Sequence, residues 1–403
     1  MASPELDDTF RQEWPRILAA VIRFTGSLEL AEDAVQEAFA RAAASREREL
    51  LINPAAWVTT VAKRIAIDAA RRDARLRQRL PLLVEEEPAS LETSPGGDDR
   101  LGLLFVTCTP DLASETRLAL ALRFVCGVPT EHIADAMLVT HTALSARLTR
   151  AKRQIEREGI RFAPLEELQL ENRLADVLGT VHLLYTIGHT SLEGEQLGST
   201  SITATAIELA RGLRSVLPED RETAGLLALL LLTDARARGR LDLQGELVTL
   251  EHAERRSWNL REINEGLDLA ALALPGGGQF ALEAGIAGLH SQAMEWRLTD
   301  WPSICALYDR LIERWPSPSA KVARIVARSF LHRGEVGSLA ELDALEGELG
   351  GVAARTAIAA RADILRRLGR TRDAREAYVR VRSYERNGPV RDYFGRRIDE
   401  LGD

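Results

Sequence analysis

The stretch TEHIADAMLVTHTALSARLTRAKRQIER, residues 130–157, passes from one helical pattern to a second within a few residues. Ile133, Ala134 and Met137 recur as the apolar side of a short helix, with Thr130 available as its N-cap. Leu138 and Val139 bridge to Thr140, a cap for a second helix whose Leu144, Leu148 and Ile155 point to a core. Arg147, Arg150 and Arg153 recur every three residues, close to one face. A short helix, a tight turn and a second helix with polar residues in front and basic ones behind make a helix-turn-helix. Thr140, His141, Thr142, Ala143 and Ser145 are expected to meet base edges. Arg147, Arg150, Lys152 and Arg153 are expected to hold phosphates. The competing reading is a helical hairpin with a solvated basic face. Ala134 at the helix crossing and the shortness of the turn favour the DNA reader.

Outward from this segment the rest of the chain is also helical in character. Hydrophobic residues make up 45% and charged residues 28% of the 403, while aromatics are only 5%. Ala, Leu, Arg and Glu dominate, and no sustained period-two run of β-branched residues occurs, so an all-α protein is expected. Its length implies more than one compact unit. Four regions are expected: 1–80, a helical block; 81–99, an acidic linker with Glu85, Glu86, Glu87, Pro88, Pro95, Gly96 and Gly97; 100–163, the block with the helix-turn-helix; and 164–403, a long helical extension. In the extension, helical segments alternate with breakers such as Gly276-Gly277-Gly278 and Pro316-Ser317-Pro318. Small and aromatic residues near Tyr308 and Tyr378 suggest tetratricopeptide-like helix pairs over a generic bundle.

The net charge of -8 argues against a protein that coats nucleic acid indiscriminately. Yet seven basic residues face two acidic ones between Lys63 and Arg79, and a second basic cluster lies in residues 147–161. Two cationic patches on an acidic chain suggest directed phosphate contacts. In AAWVTTVAKRIAIDAARRDARLRQR, residues 55–79, Trp57, Val61, Ile65 and Ala69 form the expected apolar stripe, with Arg64, Asp68, Arg71, Arg72 and Arg75 on the other side. Upstream, SLELAEDAVQEAFARA, residues 27–42, turns Leu30, Ala34 and Ala38 inward and leaves Asp33, Gln36 and Glu37 exposed, with Ser27 as cap. Taken alone it is a well-capped surface helix.

In this order the pieces resemble the extracytoplasmic-function class of sigma-70 family factors. AEDAVQEAFARA is similar to the helix that docks on the clamp helices of the RNA polymerase largest subunit, which implies that Asp33, Gln36, Glu37 and Phe39 bind polymerase. NPAAWVTTVAKRIAIDAARR is similar to the segment that binds the −10 promoter element, which implies that role for Trp57, Lys63, Arg64, Asp68, Arg71, Arg72 and Arg75. Arg64 stands where the family often has Asn. Residues 130–157 resemble the −35 reader. DDRLGLLFVTCTPDL, LPEDRETAGLLALLLLTDARARGRL and ADILRRLGRTRDAREAY are similar to a subgroup with a large tetratricopeptide-like C-terminal extension. Thr109 and the stretch YTIGHT, residues 185–190, depart from that subgroup. The resemblance implies core RNA polymerase, at its clamp helices and flap, and promoter DNA as partners, and a small DGPF-type (YCII-related) protein as an associate.

The expectation is therefore an alternative sigma factor, controlled by its extension and working by recruitment, with no catalytic residues, metal or cofactor. A helix-turn-helix regulator acting without polymerase is the alternative; it leaves the Asp33–Phe39 face unused. The seven histidines show no metal spacing, and no phosphate-cradling glycine loop or nucleophile elbow is present. Cys108, Cys126 and Cys305 form no CxxC pair and read as reduced thiols, which implies a cytoplasmic location. Leu226–Leu232, the longest apolar run, is too short for a bilayer, which takes about 20 residues.

Overall fold

The computed structural model describes residues 4–44, 53–77, 99–109, 111–137, 139–158, 172–190 and 198–402, and the side chains of these except 4–12, 70, 72–77, 99 and 346. The expected acidic linker up to residue 98, Leu138 and the expected boundary at 163/164 lie outside them, and Asp99, expected as the last linker residue, begins a helix. Among the described residues the fold is all-α. Its one β feature is an isolated antiparallel bridge between Leu241 and Leu247. The chain divides into two compact units, Met1–Leu184 and Tyr185–Asp403.

In the first unit, α1 (Pro4–Thr25), α2 (Leu28–Ala44) and α3 (Pro54–Arg77) pack on one another. Ser27 caps α2 as expected, its Oγ accepting from Leu30 N at 3.2 Å. Pro54 occupies the first position of α3, where its missing N–H costs nothing. The apolar stripe of α3 departs from expectation by one residue. Val58, Ala62 and Ala66 are buried, and Trp57, Val61, Ile65 and Ala69 flank them half-buried. Small side chains at i, i+4 and i+8 let α3 approach α1 and α2 closely, and the larger residues fill the margins.

Next come α4 (Asp99–Thr107), α5 (Ser114–Phe124), α6 (Thr130–Ala136) and α7 (His141–Arg157). These pack on one another, and α4 and α5 also pack on α1 while α7 packs on α2. Trp14, Phe105, Phe124, Leu120 and Ile133 are all fully buried, so the two expected N-terminal blocks form one body. The start of α8 (Leu174–His189) belongs to the same unit. Arg173 Nη1 donates to Phe105 O at 3.1 Å, Arg117 pairs with Asp176 at 2.6 Å, and the Cys108 thiol donates to Thr180 Oγ1 at 3.3 Å. Cys108 is a buried small hydrophobe, its pKa pushed up to about 12 by loss of solvent.

The second unit runs from the end of α8 through α9 (Thr200–Val216), α10 (Arg221–Asp234), α11 (Leu260–Ala273), α12 (Gln279–Gln292), α13 (Trp301–Arg314), α14 (Pro318–Arg328), α15 (Gly334–Leu345), α16 (Gly351–Arg367), α17 (Thr371–Tyr384) and α18 (Gly388–Glu400). Most helices pack on their neighbours in sequence. The all-round apolar α10 carries the Leu226–Leu232 run and is covered by α9, α11 and α12, as a helix without a polar face must be. A Cβ at Gly225 would lie 2.6 Å from Ala281 N, so glycine sets the close crossing of α10 with α12. Beside it the Glu222 carboxylate accepts from Phe280 N and Ala281 N, both at 3.1 Å, capping α12 from another helix.

Candidate nucleic-acid interface

The helix-turn-helix is α6 and α7. Met137 N donates to Ile133 O at 2.9 Å and Val139 N to Ala134 O at 3.0 Å, which closes α6 and starts the turn. Thr140 caps α7, its Oγ1 accepting from Ala143 N at 3.2 Å. Thr130 is the first residue of α6 rather than its cap, because Pro129 takes the cap position. Ile133, Ala134, Leu144, Leu148 and Ile155 are buried and fix the two helices against the body. Thr140, His141, Thr142 and Ala143 are exposed at the front of α7, and Ser145 is half-buried just behind them. Arg150 and Arg153 are exposed and Arg147 half-buried, so three guanidiniums extend from the helix behind that polar front.

On α3, Arg64, Asp68 and Arg71 are exposed and Lys63 and Trp57 half-buried. The Lys63 ammonium sits 5.9 Å from the Phe24 ring centroid, on the aromatic face. The side chains of Arg72 and Arg75 lie outside the described residues. On α2, Asp33, Gln36 and Glu37 are exposed, with Glu37 ion-paired to Arg41 at 2.8 Å. Phe39 departs from the expected surface: it is buried, its ring centroid 6.2 Å from that of Trp14. Phe39 falls on the core side of α2 with Val35, and burying an aromatic ring outweighs presenting it to water.

Lys152 departs more sharply. It is 9% exposed, and its Nζ donates to Glu32 Oε2 at 2.8 Å. Arg123, 7% exposed, donates from Nε to the other oxygen, Glu32 Oε1, at 2.9 Å. Glu32 itself is 6% exposed and also accepts from Gln36 Nε2 at 3.0 Å. The Arg123 guanidinium lies over Trp14, 5.1 Å from the ring, and at the edge of the contact Ser27 Oγ donates to Glu156 Oε1 at 2.5 Å. One carboxylate thus holds a cation from α5 and a cation from α7 against α2. Lys152 is removed from the phosphate-facing set because a buried ammonium must keep a counter-charge.

Sequence reasoning missed Glu32, Arg123 and Trp14, although a signal was present. Glu32 interrupts the apolar stripe Leu28, Val35 and Phe39, and Lys152 stands at the same phase as Leu148 and Ile155. Charges at core positions on separate helices are candidates to meet. Among the described residues no group of His, Cys, Asp and Glu is placed to hold a metal ion, and no helix is long and apolar enough to cross a membrane.

Residues 9–76, which include α2 and nearly all of α3, match the model for sigma-70 region 2, and residues 173–274 match a family of unknown function (DUF6596). An uncharacterized protein of Rhizobium meliloti (strain 1021) is 34% identical over 400 residues, spanning 96% of this chain and 93% of its own. No solved structure matches. With α2 and nearly all of the basic helix α3 inside the matched region, the chain carries a sigma-70 region 2, the domain that in sigma-70 factors binds core RNA polymerase and promoter DNA in transcription initiation, and it belongs to one family with the Rhizobium meliloti protein over nearly its whole length.

Proposed function

We propose that the chain is an alternative sigma factor of the extracytoplasmic-function class, in which the two basic elements read two separate promoter elements. The exposed Asp33, Gln36 and Glu37 of α2 dock on the clamp helices of the polymerase largest subunit. Lys63, Arg64, Asp68, Arg71, Arg72 and Arg75 of α3, with Trp57, take the −10 strand. The front of α7, Thr140 to Ser145, reads the −35 duplex while Arg147, Arg150 and Arg153 anchor phosphates, and this block meets the polymerase flap. The observation that carries the reading is the polar, solvent-facing front of α7 in the same body as a matched region 2.

The Glu32 interlock makes this arrangement a resting one. At roughly 3.4 Å per base pair, elements about 25 pairs apart are separated by on the order of 80 Å along B-DNA. Packed helix axes are only about 8–10 Å apart, so α3 and α7, both packed on α2, cannot serve both elements together. Polymerase and promoter engagement therefore releases Lys152 and Arg123 from Glu32, and the freed Lys152 joins the phosphate contacts. Residues beyond the reading block, a tetratricopeptide-like scaffold, bias this opening and offer a surface for a small DGPF-type protein in the cytoplasm.

Pull-down of core polymerase followed by transcription on a genomic promoter library tests the reading. Specific starts that require this chain are expected. DNA binding without any polymerase association would instead assign the helix-turn-helix to a regulator that works without polymerase.

A further inference from the structure

The second unit contains a group of guanidiniums that, among the described residues, have no carboxylate partners. Arg240 Nη1 donates to the backbone oxygen of His189 at 2.6 Å. Arg255 Nη1 donates to the backbone oxygens of His290 and Ala293, at 2.7 and 2.6 Å, and its guanidinium lies over Trp258, 4.8 Å from the ring. Arg236, which follows α10, is within electrostatic reach of both, and of His189, His290, Tyr185 and Tyr308. Among the described residues its guanidinium makes no hydrogen bond or ion pair. Arg255 Nη2 and His290 Nδ1 are closed off from solvent and, among the described residues, have no hydrogen-bond partner.

Among the described residues, the neighbouring acids do not neutralise the group. Asp234 accepts from the Tyr185 hydroxyl at 3.3 Å, and Glu283 accepts from Gln279 Nε2 at 3.1 Å. Burial drives both carboxyls upward, the reverse of what a paired guanidinium does. The cationic groups respond in the same sense. Burial lowers Arg236 to about 10 and depresses Arg240 and Arg255, while burial and the nearby guanidiniums lower His189 and His290 to about 4. Aromatic rings wall one side: His290 stacks on Trp296 with centroids 6.3 Å apart, and Trp301 meets both.

Three partly desolvated like charges repel, and each has lost part of its hydration. An oxyanion relieves both costs, because planar guanidinium forks match the oxygens of phosphate and carboxylate. We propose that Arg236, Arg240 and Arg255 form a binding site for the phosphate or carboxylate group of a small molecule. The stretch 185–190 contributes Tyr185 and His189 to its wall, so its departure from the resembled subgroup falls on the ligand site.

The test uses the full chain at constant ionic strength, titrated in separate arms with inorganic phosphate and with citrate. Heat of binding and tryptophan fluorescence are followed, since Trp258 and Trp296 adjoin the site. Saturable binding in one arm is expected and assigns phosphate or carboxylate chemistry. Arg236→Gln should weaken it at least tenfold, and Arg236→Lys, which keeps the charge but loses the fork, should also weaken it in a folded protein. Arg372→Gln, an exposed position on α17, should leave it unchanged. Failure to saturate in both arms, or equal affinity in folded Arg236→Gln or Arg236→Lys, overturns the proposal. Neither outcome depends on transcription, so the site and the initiation role stand or fall separately.

Discussion

At the scale of single residues, Glu32 ties three helices of the first unit together through one buried carboxylate. Replacing it with Gln leaves Arg123 and Lys152 buried without a counter-charge, and removal of one partner of a buried ion pair costs about 3–5 kcal/mol. Denaturant unfolding of Glu32→Gln should show a loss of that order; an unchanged midpoint would mean that water already reaches the pair. Thr140→Ala removes the cap of α7 and should cost about 1 kcal/mol by the same measurement. The cap of α7 was legible in the sequence because Thr140 stands directly before the apolar-periodic run, whereas Thr130, read the same way, yields the cap position to Pro129. The role of Glu32 was not. Its partners lie 91 and 120 residues away, and only packing brings them together.

At the scale of elements, α7 carries two kinds of basic residue that sequence alone treats as one. Arg150 and Arg153 are free to reach phosphates, so changing each to Ala should lower the salt slope of −35 duplex binding by about 1. Lys152→Ala should act chiefly on stability, with little loss of slope until the interlock opens. Fluorescence anisotropy across a salt series separates these outcomes, and equal slope losses for all three would place Lys152 among the phosphate ligands. The one-residue offset on α3 has a similar origin. Periodicity marks the apolar side of a helix, but alanine and valine at the closest approach are chosen by the neighbouring helix. Trp57 drew the expected stripe toward itself, whereas Ala62 and Ala66 set the contact.

At the scale of the whole molecule, the helical class and the order of the main segments follow from composition and breakers. The division at Leu184/Tyr185 does not, because it falls inside α8, where no Pro or Gly pair interrupts the pattern. Unit 2 also has a predictable response to acid. His189 and His290 have folded pKa values lowered to about 4 from 6.5, so folding favours their neutral forms. The stability this gives is fully present above about pH 6.5 and is lost as pH falls toward 4. Thermal unfolding should fall from pH 7 to pH 5, and His189→Asn with His290→Asn should flatten that dependence; an undiminished slope in the double variant would assign the effect elsewhere. The most direct test of the initiation role is run-off transcription with core polymerase and genomic promoter fragments, comparing the natural chain with Glu32→Gln. Starts at a defined promoter set, with higher yield from the variant, are expected; absence of starts from both chains would contradict the account.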